Sequence, residues 1–196
     1  MEEVGRIPYD CILLAAGESK RMGTSKQLLD FNGVFLVEAT LMNALAACER
    51  VILVQGAVDL AFLEEEFQGL EVVTNPDFRR GQLTSLQRGL QATETDHAFI
   101  MLADLPLVAP SVYHRVAEAI GDGEAAYPVF GDCRGHPVLA GPRAIELLLA
   151  AGPGDKAMRV IADLHPVQVA LGDPSVCRDA DTMEELRRLR EEGKSP

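Results

Sequence analysis

Three cations, Lys20, Arg21 and Lys26, fall within seven residues, directly after an apolar run that ends Ala15-Ala16-Gly17. The 196-residue chain carries a formal net charge of -12, so this local positive charge calls for an anionic ligand with several charges, such as a triphosphate. Small residues let backbone N–H groups approach an anion closely, and successive N–H groups can form an anion nest. Arg21 offers a planar fork for phosphate oxygens, and Lys26 a point charge. Gly23 stands six residues after Gly17 and is followed by Thr24, which fits neither the Walker A spacing nor G-x-G-x-x-G. A solvated surface loop is the other reading. Position favours phosphate, because open α/β sheets bind ligands at the carboxyl ends of their strands.

A second apolar run, Ala98 to Ala103, ends in Asp104-Leu105-Pro106. A carboxylate there would share the crevice of the first loop and suits Mg²⁺, which takes few carboxylates and shares its sphere with phosphates and water. A turn-forming Asp before Leu-Pro is the plainer reading. Asp179 and Asp181 follow a late strand and could complete a metal site, while Thr182 and Glu185 have the spacing of a helix capping box. Gln82, Thr84 and Ser85 lie at a helix start after Gly81 and could read a base edge, although helix starts are ordinarily polar. His136, between Gly135 and Pro137, reads as a turn residue on its own.

Those side chains need a frame. Cys11–Ala15, Arg50–Gln55 and Ala98–Ala103 read as buried strands, with Leu70–Thr74 and Val167–Leu171 as further strands. Helical spacing runs over Val34–Cys48, Ala57–Phe67, the Leu83, Leu86, Leu90 stripe, Ser111–Ile120, Ala144–Ala150, Lys156–Leu164 and Thr182–Arg190. Ala125–Ala140, with two glycines and two prolines, suggests a hairpin-like excursion. Alternating apolar strands and amphipathic helices predict an α/β sandwich with a mainly parallel sheet. One domain over residues 1–196 is expected, with a frayed tail from about 191 to 196.

The bulk composition narrows the function. An acidic balance argues against a general nucleic-acid binder. No apolar run approaches a membrane span of ~18–20 residues. The first six residues lack the basic start and apolar stretch of a signal peptide, so a cytoplasmic location is expected. The four cysteines, at 11, 48, 133 and 177, form no C-x-x-C pair, and neither zinc nor a disulfide framework is expected. Cys11 and Cys48 sit in apolar patterns as small core residues.

Taken in order, Leu-Ala-Ala-Gly-x-Ser-x-Arg-Met-Gly-x-x-Lys, Asn-Pro…Gly…Ser-Leu…Gly-Leu, Ala-Asp-Leu-Pro-Leu-Val, Gly-His-Pro-Val-Leu and Asp-x-Asp-Thr resemble the MobA-like nucleotidyltransferases. The likeness is greatest to their molybdenum cofactor cytidylyltransferase branch and runs from about Ile12 to Leu186. It implies a Rossmann-like three-layer sandwich of the nucleotide-diphospho-sugar transferase type. The implied reaction moves a nucleoside monophosphate from an NTP to a phosphate acceptor, molybdopterin or its molybdenum form, with release of pyrophosphate. On this resemblance Leu14, Ala15, Ala16, Gly17, Gly23 and Ser85 line the nucleotide site. Arg21 and Lys26 bind the triphosphate and, with Asp104, carry catalysis. Asp104 and Asp181 hold Mg²⁺, with Asp179 as the alternative to Asp181, and His136 borders the acceptor. Ala16, in Leu-Ala-Ala-Gly rather than Leu-Ala-Gly-Gly, and Gly-His-Pro favour CTP over GTP. Asp104-Leu105-Pro106 departs from the Asp-Gln-Pro frequent in the cytidylyl branch. A molybdoenzyme or its chaperone would be the downstream partner. Rival readings are a guanylyltransferase, a sugar- or alditol-phosphate nucleotidyltransferase on the same fold, and a non-catalytic cofactor carrier.

Overall fold

The computed structural model describes residues 5–18, 25–152 and 154–194. In chain order the elements are β1 (Ile7–Leu14), the hairpin of β2 (Asp30–Phe31) and β3 (Val34–Phe35), α1 (Leu36–Ala47), β4 (Cys48–Gln55), α2 (Leu63–Glu66) and β5 (Leu70–Thr74). Next come α3 (Gln82–Leu90), β6 (Ala98–Leu102), α4 (Pro110–Ile120), the hairpin of β7 (Ala125–Phe130) and β8 (Cys133–Arg134), and β9 (Val138–Ala140). The chain continues through α5 (Pro142–Ala150), α6 (Ala157–Ala162), β10 (Val167–Ala170) and α7 (Met183–Glu192).

The main sheet runs β10-β7-β9-β6-β1-β4-β5, with β8 added to β7. Strands β6, β1, β4 and β5 are mutually parallel, and β10 is parallel to β7. Only β9, which runs antiparallel to both β6 and β7, and the short β8 break the pattern. Strand β1 lies inside because its second half is apolar on both faces. Cys11 and Leu13 pack with Val37 and Leu41 of α1 and with Val112 and Tyr113 of α4. Ile12 and Leu14 face Leu86 and Leu90 of α3 and Ala144 and Leu148 of α5. Each fully buried aliphatic side chain of this kind contributes roughly 1.5–3 kcal/mol of transfer free energy. The result is the expected three-layer α/β sandwich. Gly89 lets α3 approach the sheet, for a Cβ there would stand 2.5 Å from Ile12 Cγ2.

A third, smaller core joins Phe31 and Leu36 to Ala180, Leu186 and Leu189. It docks α7 against the β2–β3 hairpin and fixes Ala180, the residue between Asp179 and Asp181. Thr182 caps α7 as expected, its Oγ1 accepting the Glu185 N–H at 3.2 Å. Its hydroxyl then donates to the Glu185 carboxylate at 2.8 Å, so Glu185 closes the box through the hydroxyl.

Several expectations are corrected. The helix expected over Ala57–Phe67 shrinks to Leu63–Glu66. Before it, Gln55 Oε1 accepts the Leu60 N–H at 2.6 Å and Asp59 Oδ1 accepts the Ala61 N–H at 3.1 Å, side-chain bonds that divert the backbone from a helix. The helix expected from Val34 begins at Leu36, because Asn32 (φ 55°) and Gly33 (φ 98°) turn a β-hairpin. Both positive φ values are those of an Asn-Gly hairpin turn. Cys133 and Cys177, expected to be unpaired, form a disulfide across 44 positions. The two residues come together because the β7–β8 hairpin folds beside the 3-10 turn Pro174–Cys177. Cys11 and Cys48 are buried free thiols, as expected. Helix α7 extends to Glu192, so regular structure reaches further into the expected tail.

Candidate active site

The carboxyl ends of β1 and β6 open onto a cavity of about 230 Å³. Leu14, Ala15, Ala16, Gly17, Lys26, Ser85 and Asp104 all line it, so seven residues singled out in the sequence meet in one place. Arg21 and Gly23, like Lys20, lie outside the described residues. A larger groove of about 1010 Å³ runs between α3 and the start of α6 and shares Gln82 with the first cavity, but holds none of the carboxylates considered above as metal ligands.

The loop after β1 is tied back on its carbonyl side. Gln27, itself buried, donates from Nε2 to Ala15 O at 2.9 Å and to Gly17 O at 2.8 Å. Ala57 N–H donates to Ala16 O at 3.3 Å. Three successive carbonyls of the loop are thus paired with protein donors. Ala15 spends its own N–H on Val54 O at 3.0 Å, so it forms a wall of the cavity and supplies no donor.

Lys26 begins the 3-10 turn Lys26–Leu28, which aims its side chain across the strand ends. The ammonium contacts Asp104 Oδ2 and lies 2.8 Å from Asp181 Oδ1. Burial works against its charge. The attraction and hydrogen bonds of Asp104 and Asp181 outweigh that and raise its pKa. Asp104 continues from β6, and Thr40 of α1 braces the preceding residue by donating to Ala103 O at 3.1 Å. Asp104 O accepts the Ala180 N–H at 3.0 Å, which registers the Asp179–Asp181 segment against the end of β6.

Asp104, Asp179 and Asp181 each offer an oxygen within 4.8 Å of the others. Sequence reasoning expected Asp181 with Asp179 as the alternative, whereas the geometry includes both. Burial, then the charges of Asp104 and Asp181, raises the Asp179 pKa. Among the described residues Asp104 Oδ1 has no hydrogen-bond partner although it is buried. A buried carboxylate oxygen left bare is costly, so a hard cation with oxygen preference fits this cradle. The triad could hold a divalent metal ion.

Ser85 lines the cavity, and its Oγ accepts from Asn75 Nδ2 at 2.9 Å. Asn75 also donates to Thr84 Oγ1 at 3.0 Å and accepts the Asp77 N–H at 3.0 Å. Thr84 donates to Gly81 O at 2.8 Å and so organises the loop, while Gln82 and Ser85 line the cavity. His136 lies apart from the cavity lining, its Nδ1 3.2 Å from Ile100 O. Burial lowers its pKa, with the Ile100 carbonyl and the Asp104 charge acting in the opposite sense. Gln27 and Thr40 are the positioning residues that sequence reasoning missed, and Asn75, part of the Asn-Pro motif, had no role assigned to it. Periodicity does not show them, because a polar side chain reveals its carbonyl partner only in three dimensions.

The sandwich, with a small-residue loop and an acidic triad at its strand ends, has the nucleotide-diphospho-sugar transferase fold of the nucleotidyltransferases. The chain belongs to the family of the MobA-like NTP transferase domain, whose model matches residues 11–169. It is 33% identical over 132 residues to the molybdenum cofactor cytidylyltransferase of Escherichia coli (strain K12), covering 66% of this chain and 68% of that one. It is 29% identical over 122 residues to a probable molybdenum cofactor guanylyltransferase of Natronomonas pharaonis, covering 60% of this chain and 59% of the relative, less than two thirds of its length. The crystal structure of Rv0371c from Mycobacterium tuberculosis H37Rv superposes with a TM-score of 0.82 at 29% identity, over 96% of this chain and 100% of that one. A manganese complex of Rv0371C gives a TM-score of 0.74 at 25% identity over 94% and 99%. No helix among the described residues is long and apolar enough to cross a membrane.

Proposed function

We propose that the protein transfers CMP from CTP to the phosphate of a molybdopterin-type cofactor, with Mg²⁺, releasing pyrophosphate. The observation that carries this reading is the convergence of the β1 loop, Lys26 and Asp104 on one crevice, with Asp179 and Asp181 grouped beside Asp104. The cytidylyltransferase relative and Ala16 support CTP.

In this mechanism an acceptor phosphate oxygen attacks the α-phosphorus in line. The bond to the β-phosphate oxygen breaks, and pyrophosphate leaves with the electron pair. The acceptor is already an anion, so no strong general base is required, and the difficulty is bringing two anions together. Lys26 and Arg21 neutralise the triphosphate and the leaving group. Asp104, Asp179 and Asp181 would hold the metal ion, which when bound supplies positive charge to the phosphoryl oxygens. The tied-back β1 loop and Ser85 orient the nucleotide, and positioning supplies much of the remaining rate. His136, near Asp104, borders the acceptor side.

The guanylyl reading has its own support in the second relative and in Leu105, where the cytidylyl pattern has Gln. Pyrophosphate release measured in parallel with CTP and GTP, Mg²⁺ and molybdopterin separates the two. Release with CTP is expected, and release with GTP alone would reverse the base assignment. Release only with a sugar or alditol phosphate would reassign the acceptor. Nucleotide binding with no release for any acceptor would favour a carrier.

A further inference from the structure

The segment bearing Asp179 and Asp181 is anchored by a covalent bond outside the cation network. Cys177, the last residue of the 3-10 turn Pro174–Cys177, is bonded to Cys133 of β8, and only Arg178 stands between Cys177 and Asp179. Hairpin and turn also touch directly. His136 N–H donates to Val176 O at 2.9 Å, and Gly135 packs so closely that a Cβ there would lie 2.7 Å from that same oxygen. Beyond the turn, the backbone bond from Ala180 to Asp104 O is the next fixed point. The four residues from Cys177 to Ala180 are therefore held at one end by the disulfide and at the other by the Ala180–Asp104 hydrogen bond and the burial of Ala180 in the third core, with Arg178 paired to Glu192 between them.

The bond is accessible. Cys133 is exposed and Cys177 half-buried, whereas the remaining cysteines, Cys11 and Cys48, are completely buried. The hydrogen bond with the neighbouring Cys48 thiol, then burial, raises the Cys11 pKa, which keeps that thiol unreactive. Thiol chemistry from solvent is thus confined to one pair, and that pair borders the acidic triad. In a reducing compartment accessible disulfides are typically transient or sensory.

We propose that Cys133–Cys177 is a reversible thiol–disulfide exchange site whose opening loosens the Asp179–Asp181 segment. A thiolate of a dithiol reductant attacks Cys133 Sγ. The Sγ–Sγ bond breaks, and Cys177 Sγ leaves with the bonding pair and takes up a proton. The second thiol of the reductant then attacks the mixed disulfide, releasing the Cys133 thiol and the oxidised dithiol. A disulfide oxidant such as oxidised glutathione reverses the sequence. The dithiol state keeps the His136–Val176 and Ala180–Asp104 hydrogen bonds, so the change is a graded loosening.

The consequence for metal rests on the acidic triad binding a divalent ion, whereas the loosening itself does not, and the experiment separates them. Backbone hydrogen exchange over residues 174–183 is compared by mass spectrometry in the whole chain, oxidised and after dithiothreitol, with alkylation counting the thiols. Two further alkylated cysteines and exchange at the Ala180 amide about tenfold faster in the reduced form are expected. Reoxidation by oxidised glutathione should restore protection. The double variant Cys133→Ser/Cys177→Ser should match the reduced form and ignore the reductant. Equal protection in both forms, or a bond that resists dithiothreitol in the folded protein, would overturn the proposal. Mn²⁺ titration of the two forms should show about threefold weaker binding after reduction. Faster exchange with no Mn²⁺ binding in either form would instead sink the metal reading and leave the exchange site standing.

Discussion

Lys26 Nζ lies 2.8 Å from Asp181 Oδ1, although 155 positions separate the two residues. The same ammonium contacts Asp104, so one cation joins the chain segments that follow β1, β6 and β10. Parallel strands produce this meeting, because they deliver their carboxyl ends, and the loops after them, to one edge of the sheet. Lys26 offsets the mutual repulsion of these carboxylates, and in the proposed reaction it has a second task as counter-charge to the triphosphate.

Replacement of Lys26 by Met should test both tasks. The side chains of Lys26 and Asp104 are 18% and 14% exposed, and Asp181 is 35% exposed, so solvent screens part of the interaction. A stability loss of about 1–2 kcal/mol is expected, below the range for breaking a fully buried pair. It should appear in urea unfolding without nucleotide. Loss of the phosphate contact should lower kcat/KM by about 10²–10³-fold. Because the Lys26 pKa is raised, its contribution is complete below the ordinary lysine value and is lost only as pH rises through the raised one. The wild-type and variant stability difference should therefore be flat from pH 6 to pH 9, on the order of the standard titration ranges.

Asp104→Asn keeps the shape of the side chain and removes its charge. Turnover should fall by about 10³-fold while nucleotide Kd changes less than about tenfold, since charge stabilisation matters most at the transition state. Steady-state rates beside calorimetric titration with CTP separate the two quantities. Undiminished turnover would remove Asp104 from the metal site.

Gln27→Ala releases the Ala15 and Gly17 carbonyls. The expected signature is a KM for nucleotide raised about five- to tenfold with kcat changed less, the pattern of lost ground-state positioning. Gln27→Glu, which accepts where Gln27 donates, should be worse than Ala. A KM unchanged in both variants would show that the loop holds its form without this side chain.

His136 predicts a pH dependence of stability. Its folded-state pKa lies below the ordinary 6.5, chiefly through burial. The folded protein therefore binds fewer protons than the unfolded chain between those two values. The stabilising contribution is complete above about pH 6.5 and is lost as pH falls through the lowered pKa. Thermal unfolding from pH 5 to pH 8, about the histidine range, should show this decline, and His136→Asn should flatten it. An identical slope in the variant would assign the decline to other groups.

Much of this protein is already determined by its linear sequence. The apolar run Cys11–Leu14 reads as a strand covered on both faces, and the Leu83, Leu86, Leu90 stripe as a helix with one buried face, and both are found so. Local periodicity encodes those outcomes, since each depends on which neighbours share a face. The placement of Lys26, Asp104 and Ser85 at one edge follows from the same alternation of strands and helices. Tertiary structure alone decided the rest. Asp179 joins Asp104 and Asp181 because buried Ala180 docks under α7 and bonds to Asp104 O. Cys133 meets Cys177 across 44 positions because two turns fold side by side beyond the sheet. Contacts between distant segments depend on how whole elements pack, and no local pattern carries that information.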